Sequence, residues 1–168
     1  MARYAEGTTV SVAVSQGEIR TLLARHGCQH FATAEEPGRS AIQFILGGLP
    51  YRFTVERADP DELQKAYIEE QVDKGRQYRS TIEQRASYMD WPAKAEAEWR
   101  RRWRARLLWL KATLEFATGE GADEVAAALM AHLVLPNGST MQTWAAKQLP
   151  DAFANGTMPP LMLTGGKA

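Results

Sequence analysis

The three histidines and the single cysteine are the residues of this sequence whose side chains could most readily bind a metal or act in catalysis. His26, Cys28 and His30 alternate along the chain, so Cys28 and His30 share one face if this stretch is a strand. Together with His132 they offer imidazole and thiolate groups, which zinc prefers as ligands. The spacing matches none of the usual zinc patterns, and no second cysteine is present. We therefore expect no metal and no other cofactor.

Catalysis is equally weakly indicated. A cysteine nucleophile needs an adjacent base and an activating environment, and only the fold could bring His30 or His132 to Cys28. The glycines at 119 and 121 lack both the length and the lysine of a phosphate-binding loop. Neighbouring acids on a helix point in different directions, which applies to Glu35-Glu36, Glu69-Glu70 and Asp123-Glu124. These patterns predict a protein without enzymatic activity.

Anion binding is indicated by a basic stretch in the middle of the chain. Five arginines lie between residues 100 and 106 and Lys111 follows, in a chain with 20 basic and 20 acidic residues overall. Guanidinium groups bind phosphates, and tryptophans stack on bases if they are exposed. We predict that nucleic acid or another anion contacts Arg100, Arg101, Arg104, Lys111, Trp99 and Trp103. The alternative is a solvated rim whose arginines cover apolar surface and pair with Glu96, Glu98 or the acidic segment before them.

A long helix is the element that must position this stretch. Asp90 is a good N-cap, Pro92 suits the first turn, and Gly119 is placed to end the helix. Helical spacing predicts a buried stripe formed by Trp99, Trp103, Leu107, Leu110, Leu114 and Ala117. A second apolar face is formed by Ala105, Trp109, Ala112 and Phe116. A helix that is apolar on two faces is usually packed on both sides, so we expect this one to be the centre of the fold.

The residues before this helix predict a small antiparallel sheet. Alternating or apolar segments predict strands at 9–14, 28–34, 40–46 and 51–56. Ser15 and Glu18 form a capping box for a helix at 16–26, and Gly47-Gly48 indicates a hairpin. The expected fold class is α+β, with an N-terminal β-α-β-β-β unit packed on a C-terminal helical half.

The other segments are predicted to be mainly helical. Asp59 opens a helix, and a polar segment at 74–88 is either a second helix, with Tyr78 and Ile82 as its apolar anchors, or a mobile insertion. Further helices are expected at 122–132, after Ser139 or Thr140, and separately from Pro150. The single domain then comprises residues 1–58, a polar helical segment or arm at 59–90, and 91–168 with an extended C-terminal strap. In this strap we predict partner contacts by Met158, Leu161 and Met162.

The length and composition exclude several classes of protein. A length of 168 residues favours one domain. Zero net charge argues against both a general nucleic-acid coat and an acidic DNA mimic. One cysteine fits a reducing compartment, and no apolar run has the length of a signal peptide or a membrane span. We expect a cytoplasmic protein without membrane contact.

The element order from residue 15 to about residue 74 is that of a double-stranded-RNA-binding domain. That family begins its second helix with lysines that bind phosphate across the groove. The same position here reads Asp59-Pro60-Asp61-Glu62, so we do not expect the chain to bind double-stranded RNA.

Two stretches together resemble a family of small uncharacterised proteins from bacteriophage and prophage genomes. They are SQGEIRTLLARHGCQHF at 15–31, and RWRARLLWLKATLEFATGEG at 102–121 with LVLPNGSTMQTWAAKQLPDAFANGTMPPLML at 133–163. The resemblance covers most of the chain except about 60–90. It implies a phage protein in the host cytoplasm and lends no site residues. Small phage proteins of this kind commonly assist DNA replication or recombination, or block a host defence system.

Two functions are compatible with these observations. The first is a non-enzymatic phage accessory protein that contacts nucleic acid or a nucleoprotein complex through the Arg/Trp helix. The alternative is a protein-binding module that inhibits a host defence complex, for example of the anti-CRISPR type. Arg and Trp are also enriched in the hot spots of protein interfaces, so the same helix is compatible with both hypotheses.

Overall fold

A computed structural model describes residues 5, 7–75 and 78–156. Within these residues the chain forms six α-helices and a three-stranded antiparallel sheet, so the predicted α+β class is confirmed. The helices are Val12–Arg25 (α1), Pro60–Asp73 (α2), Arg79–Ser87 (α3), Trp91–Glu120 (α4), Ala122–Leu129 (α5) and Met141–Asn155 (α6). A 3-10 turn covers Met130–His132. The strands are His30–Glu36 (β1), Arg39–Leu46 (β2) and Leu49–Glu56 (β3), in the spatial order β1-β2-β3.

The strand predicted at 9–14 is wrong, because α1 already begins at Val12. Ser11 caps this helix, since its hydroxyl accepts from the amide of Val14 at 3.3 Å. Ser15, the predicted cap, is instead fully buried inside the helix. A few alternating residues are only a weak signal for a strand. Here Ser15 and Ile19 are four residues apart and both buried, which is the spacing of a helix with one buried face.

The sheet buries one face. In β2 the buried side chains alternate with more exposed ones, as in an antiparallel sheet that is covered on one side. Gly47 and Gly48 both have positive φ angles, of 59° and 79°, which the two-residue hairpin turn requires and which the sequence predicted. Phe44 stacks on Tyr51 with 5.5 Å between ring centroids. β1 starts and ends two residues later than predicted.

The chain divides into two compact units. One comprises Met1–Leu22, Ala34–Ala41 and Thr54–Lys111, and the other comprises Leu23–Thr33, Ile42–Phe53 and Ala112–Ala168. The division falls within α1, each strand and α4. In the second unit, Leu133 forms an isolated antiparallel bridge with Tyr51 of β3.

The polar segment before α4 is helical in part. Asp59 caps α2, as predicted, and its carboxylate accepts from the amides of Asp61 and Glu62. In α3 the predicted anchor Ile82 is buried, whereas Tyr78 is exposed, so the prediction for Tyr78 is wrong. Tyr78 is the N-cap residue, and it lies outside the regular turn that directs Ile82 inward.

The separate helix predicted from Pro150 is wrong, because α6 runs through this residue without interruption. Proline removes one helical hydrogen bond, here to the carbonyl of Ala146. Both residues are exposed, so water can hydrate that carbonyl. Thr140 caps α6, as predicted, and Gly156 ends the helix in the left-handed region.

Candidate functional site

The basic stretch lies on α4, which begins where the sequence predicts. The Asp90 carboxylate accepts from the amide of Ala93 at 2.9 Å, and Pro92 occupies the first turn. The helix ends at Glu120 rather than before Gly119, and Gly121 follows with a φ of 120°. One uninterrupted helix of 30 residues therefore carries all six predicted anion contacts.

Trp99 and Trp103 face inward. Their exposed fractions are 6% and 0%, and the two rings pack edge to face with 5.7 Å between centroids. The Trp103 indole nitrogen is buried and has no hydrogen-bond partner. The Arg57 guanidinium lies 5.8 Å from the Trp99 ring and covers it. Neither indole is exposed, so the condition under which they would stack on a base is not met in this fold.

Glu98 holds two of the arginines. Its carboxylate accepts from Arg101 through two nitrogens, each at 2.7 Å, and from Arg102 at 3.0 Å. Only 12% of the Glu98 side chain is exposed. The hydrogen bond from Arg101, supported by Arg102, outweighs the effect of burial and lowers the Glu98 pKa to about 2. The carboxylate is therefore ionised at neutral pH and fixes both guanidinium groups in place.

Other arginines bind residues far away in the sequence. Arg104 pairs with Glu18 of α1 at 2.7 Å, and Arg102 also donates to the carbonyl of Glu56 in β3 at 2.8 Å. These contacts lie within the first unit. The pairing of this stretch with Glu98 was one of the two interpretations of the sequence, but Glu18 and Glu56 had no local signal because they are 86 and 46 residues away from their partners.

Arg100, Arg106 and Lys111 complete the basic stretch. Arg100 is half-buried and its Nε has no hydrogen-bond partner. Arg106 is also half-buried, with its guanidinium 5.4 Å from the Trp109 ring, and burial lowers its pKa. Lys111 is exposed. The stretch is thus cationic but largely held against the protein, in contrast to an open row of phosphate-binding groups.

We name the side of α4 that carries Trp109, Ala112 and Phe116 its outer face. The sequence predicts that this face is buried, and the structure shows that it is exposed, with 37% of Trp109 and 72% of Phe116 accessible. The prediction of a helix packed on both sides is therefore wrong over this part of α4. The buried stripe on the other side is present as predicted, including Leu110 and Leu114.

The described residues offer little of the chemistry of an active site. In this part of the chain no three His, Cys, Asp or Glu side chains converge as metal ligands. The Cys28 thiol donates to the carbonyl of His30 at 3.1 Å. A cavity of about 540 Å³ beside α2 and α4 contains Glu70 and Glu98, but Lys74 pairs with the first and arginines pair with the second.

The predicted partner contacts Met158, Leu161 and Met162 lie outside the described residues. No helix in the described ranges has the length and apolar character needed to cross a membrane.

No protein-family model, curated protein or solved structure matches this chain. The resemblance to phage proteins therefore stays a prediction.

Proposed function

We propose that the chain is a non-enzymatic binding protein that docks another protein on the outer face of α4. The observation that carries this proposal is the exposure of Phe116, at 72%, in line with the exposed Trp109 and Ala112. Scattered apolar residues are normal on a protein surface, but aromatic residues aligned on one helix face are typical of a docking surface.

The residue types support a protein partner over a nucleic acid. Trp and Phe supply large apolar contacts in the core of protein interfaces. The tryptophans that would have served base stacking, Trp99 and Trp103, are buried, whereas Trp109 and Phe116 are accessible. Arg106 lies over the Trp109 ring and places a cation at the border of the apolar face, which favours a partner surface with acidic groups around an apolar centre.

The proposed biological role follows from the phage resemblance. We propose an accessory protein of the host cytoplasm whose partner is a host or phage protein complex, and an inhibitor of a defence complex is the form of this role that we favour. Such an inhibitor acts by occupying a surface, and it needs no catalytic residues.

A crosslinking experiment tests this function. A photoreactive amino acid at position 116 is expected to capture a defined partner from host lysate, and the same group at Phe153 is the control. Phe153 is 85% exposed on α6, so it matches Phe116 in chemistry and accessibility. Equal capture from both positions, or none from 116, would contradict docking on the outer face.

Electrostatic binding of nucleic acid is the second candidate function. One observation favours it: six basic residues and no acidic residue lie between 100 and 111. Arg100, Arg101, Arg104 and Lys111 would contact phosphates without base stacking, in competition with Glu98 and Glu18 for two of these arginines. A titration with labelled single- and double-stranded oligonucleotides at low salt tests it. Binding should weaken steeply with salt, and no binding at low salt would exclude this function.

A further inference from the structure

We propose that the protein docked on the outer face of α4 is a second copy of this chain, arranged antiparallel about a two-fold axis. This inference rests on the proposed function, because it assigns the partner of the same surface. Three observations carry it: the separation of charge along the helix, the spacing of the aromatic residues, and the small residue between them.

Charge is separated along α4. Residues 100–111 contain six basic and no acidic residues. Residues 112–120 of the same helix contain two acidic and no basic residues, Glu115 and Glu120. An antiparallel pair of helices places the basic part of each copy beside the acidic part of the other, whereas a parallel pair places like charges together. The charge pattern is therefore self-complementary in one orientation only.

The apolar residues fit the same orientation. Trp109 and Phe116 are seven residues apart and share one face of the helix. In an antiparallel pair centred between Ala112 and Thr113, Trp109 of each copy lies opposite Phe116 of the other. Ala112 is exposed at the centre, where its small side chain allows the two helices to approach closely.

Sedimentation equilibrium of the full chain tests self-association. The wild-type chain is expected to show a concentration-dependent monomer–dimer equilibrium. Phe116→Ser should raise the dimer Kd by roughly tenfold or more, because it removes a central aromatic contact. Phe153→Ser is the matched control and should leave Kd unchanged. The charge variant Glu115→Lys should also raise Kd, by about tenfold, and salt should weaken the wild-type dimer.

Disulfide crosslinking tests the orientation. In a Cys28→Ser background, Ala112→Cys should form an intermolecular disulfide, because the two cysteines lie beside the axis. Trp109→Cys alone should not, because the two copies of this position are separated by roughly 10 Å along the helix. A mixture of Trp109→Cys and Phe116→Cys should crosslink as a heterodimer. Crosslinking of Trp109→Cys with itself at the Ala112→Cys rate would overturn the antiparallel arrangement.

The outcomes separate this inference from the proposed function. A chain that stays monomeric at high concentration, with capture of a different protein at position 116, overturns self-association and leaves the docking function standing. A dimer that is unchanged by Phe116→Ser also overturns the inference, since its interface lies elsewhere. A dimer that requires Phe116 and crosslinks through Ala112→Cys supports both.

Discussion

The two halves of α4 use the side opposite their buried stripe in different ways. In residues 91–105, Glu98, Arg101 and Arg102 occupy this side, where Glu98 pairs with both arginines and only 12–33% of each side chain is exposed. In residues 106–120, the same side carries Trp109 and Phe116, and it is accessible. Charged side chains are thus held inward and aromatic side chains are exposed, the reverse of the usual distribution. Residue type alone therefore does not predict which side of a helix is free to bind a partner.

The difference depends on whether distant residues supply partners. Glu18 and Glu56 reach the arginines of the first half from α1 and β3. The long stems of these arginines cover apolar surface while their charged ends are paired. Phe116 projects from the second half with most of its surface exposed to solvent. The first half is therefore a structural region, and the second half is the better candidate for recognition.

The largest expected effect is the difference in stability between a variant of a buried aromatic residue and a variant of an exposed one. Trp103→Ala should lower the free energy of unfolding by about 3–5 kcal/mol, because it leaves a cavity at a fully buried position. Phe116→Ala should change it by no more than about 0.5 kcal/mol, because the ring is mostly hydrated in the monomer. Urea denaturation at low protein concentration measures both. A large loss for Phe116→Ala in the monomer would mean that the outer face is part of the core.

The second largest loss of stability is expected when the ion pairs of Glu98 are removed. Glu98→Gln should destabilise the protein at neutral pH by roughly 2 kcal/mol, a value that allows for solvent screening of the pair. The Glu98 pKa is lowered from 4.5 to about 2, so its contribution is full above 4.5 and is lost as the pH falls toward 2. The difference between wild type and variant should shrink over that range. Denaturation curves at several pH values measure it, and a difference that is constant down to pH 2 would contradict the assigned pKa.

The elements of this fold were mostly predictable from local patterns. Asp59 and Asp90 mark helix starts, and Gly47-Gly48 marks the hairpin, because a cap or a tight turn depends on neighbouring residues only. The strand at 9–14 failed because a short alternating segment competes with a helix whose buried face lies further along the chain.

The candidate site was predictable only in part. Helical spacing placed Trp99, Trp103 and Leu110 on one stripe, and all three are buried on it. The same spacing placed Trp109 and Phe116 on a second face, but spacing does not reveal whether another element covers that face. Exposure depends on tertiary packing, and a single sequence carries no local signal for it.

A smaller loss of stability is expected when the N-cap of α4 is removed. Asp90→Ala should cost about 1 kcal/mol, because the amide of Ala93 loses its acceptor. Asp90→Asn retains an acceptor oxygen and should cost distinctly less. Thermal and urea unfolding of the two variants measure the difference. Equal losses would indicate that the charge at position 90 stabilises the helix dipole, and the cap would then contribute little.

The smallest effect concerns a partly exposed ion pair in the first half of α4. Arg104 and Glu18 have side chains that are 26% and 46% exposed, so water screens their attraction. A double-mutant cycle with Arg104→Ala and Glu18→Ala should give a coupling energy of about 0.5 kcal/mol that decreases with salt. A coupling clearly above about 1 kcal/mol would place Arg104 in the same tight network as Arg101. The nucleic-acid hypothesis would then lose Arg104 as a contact, because releasing it to a phosphate would cost too much.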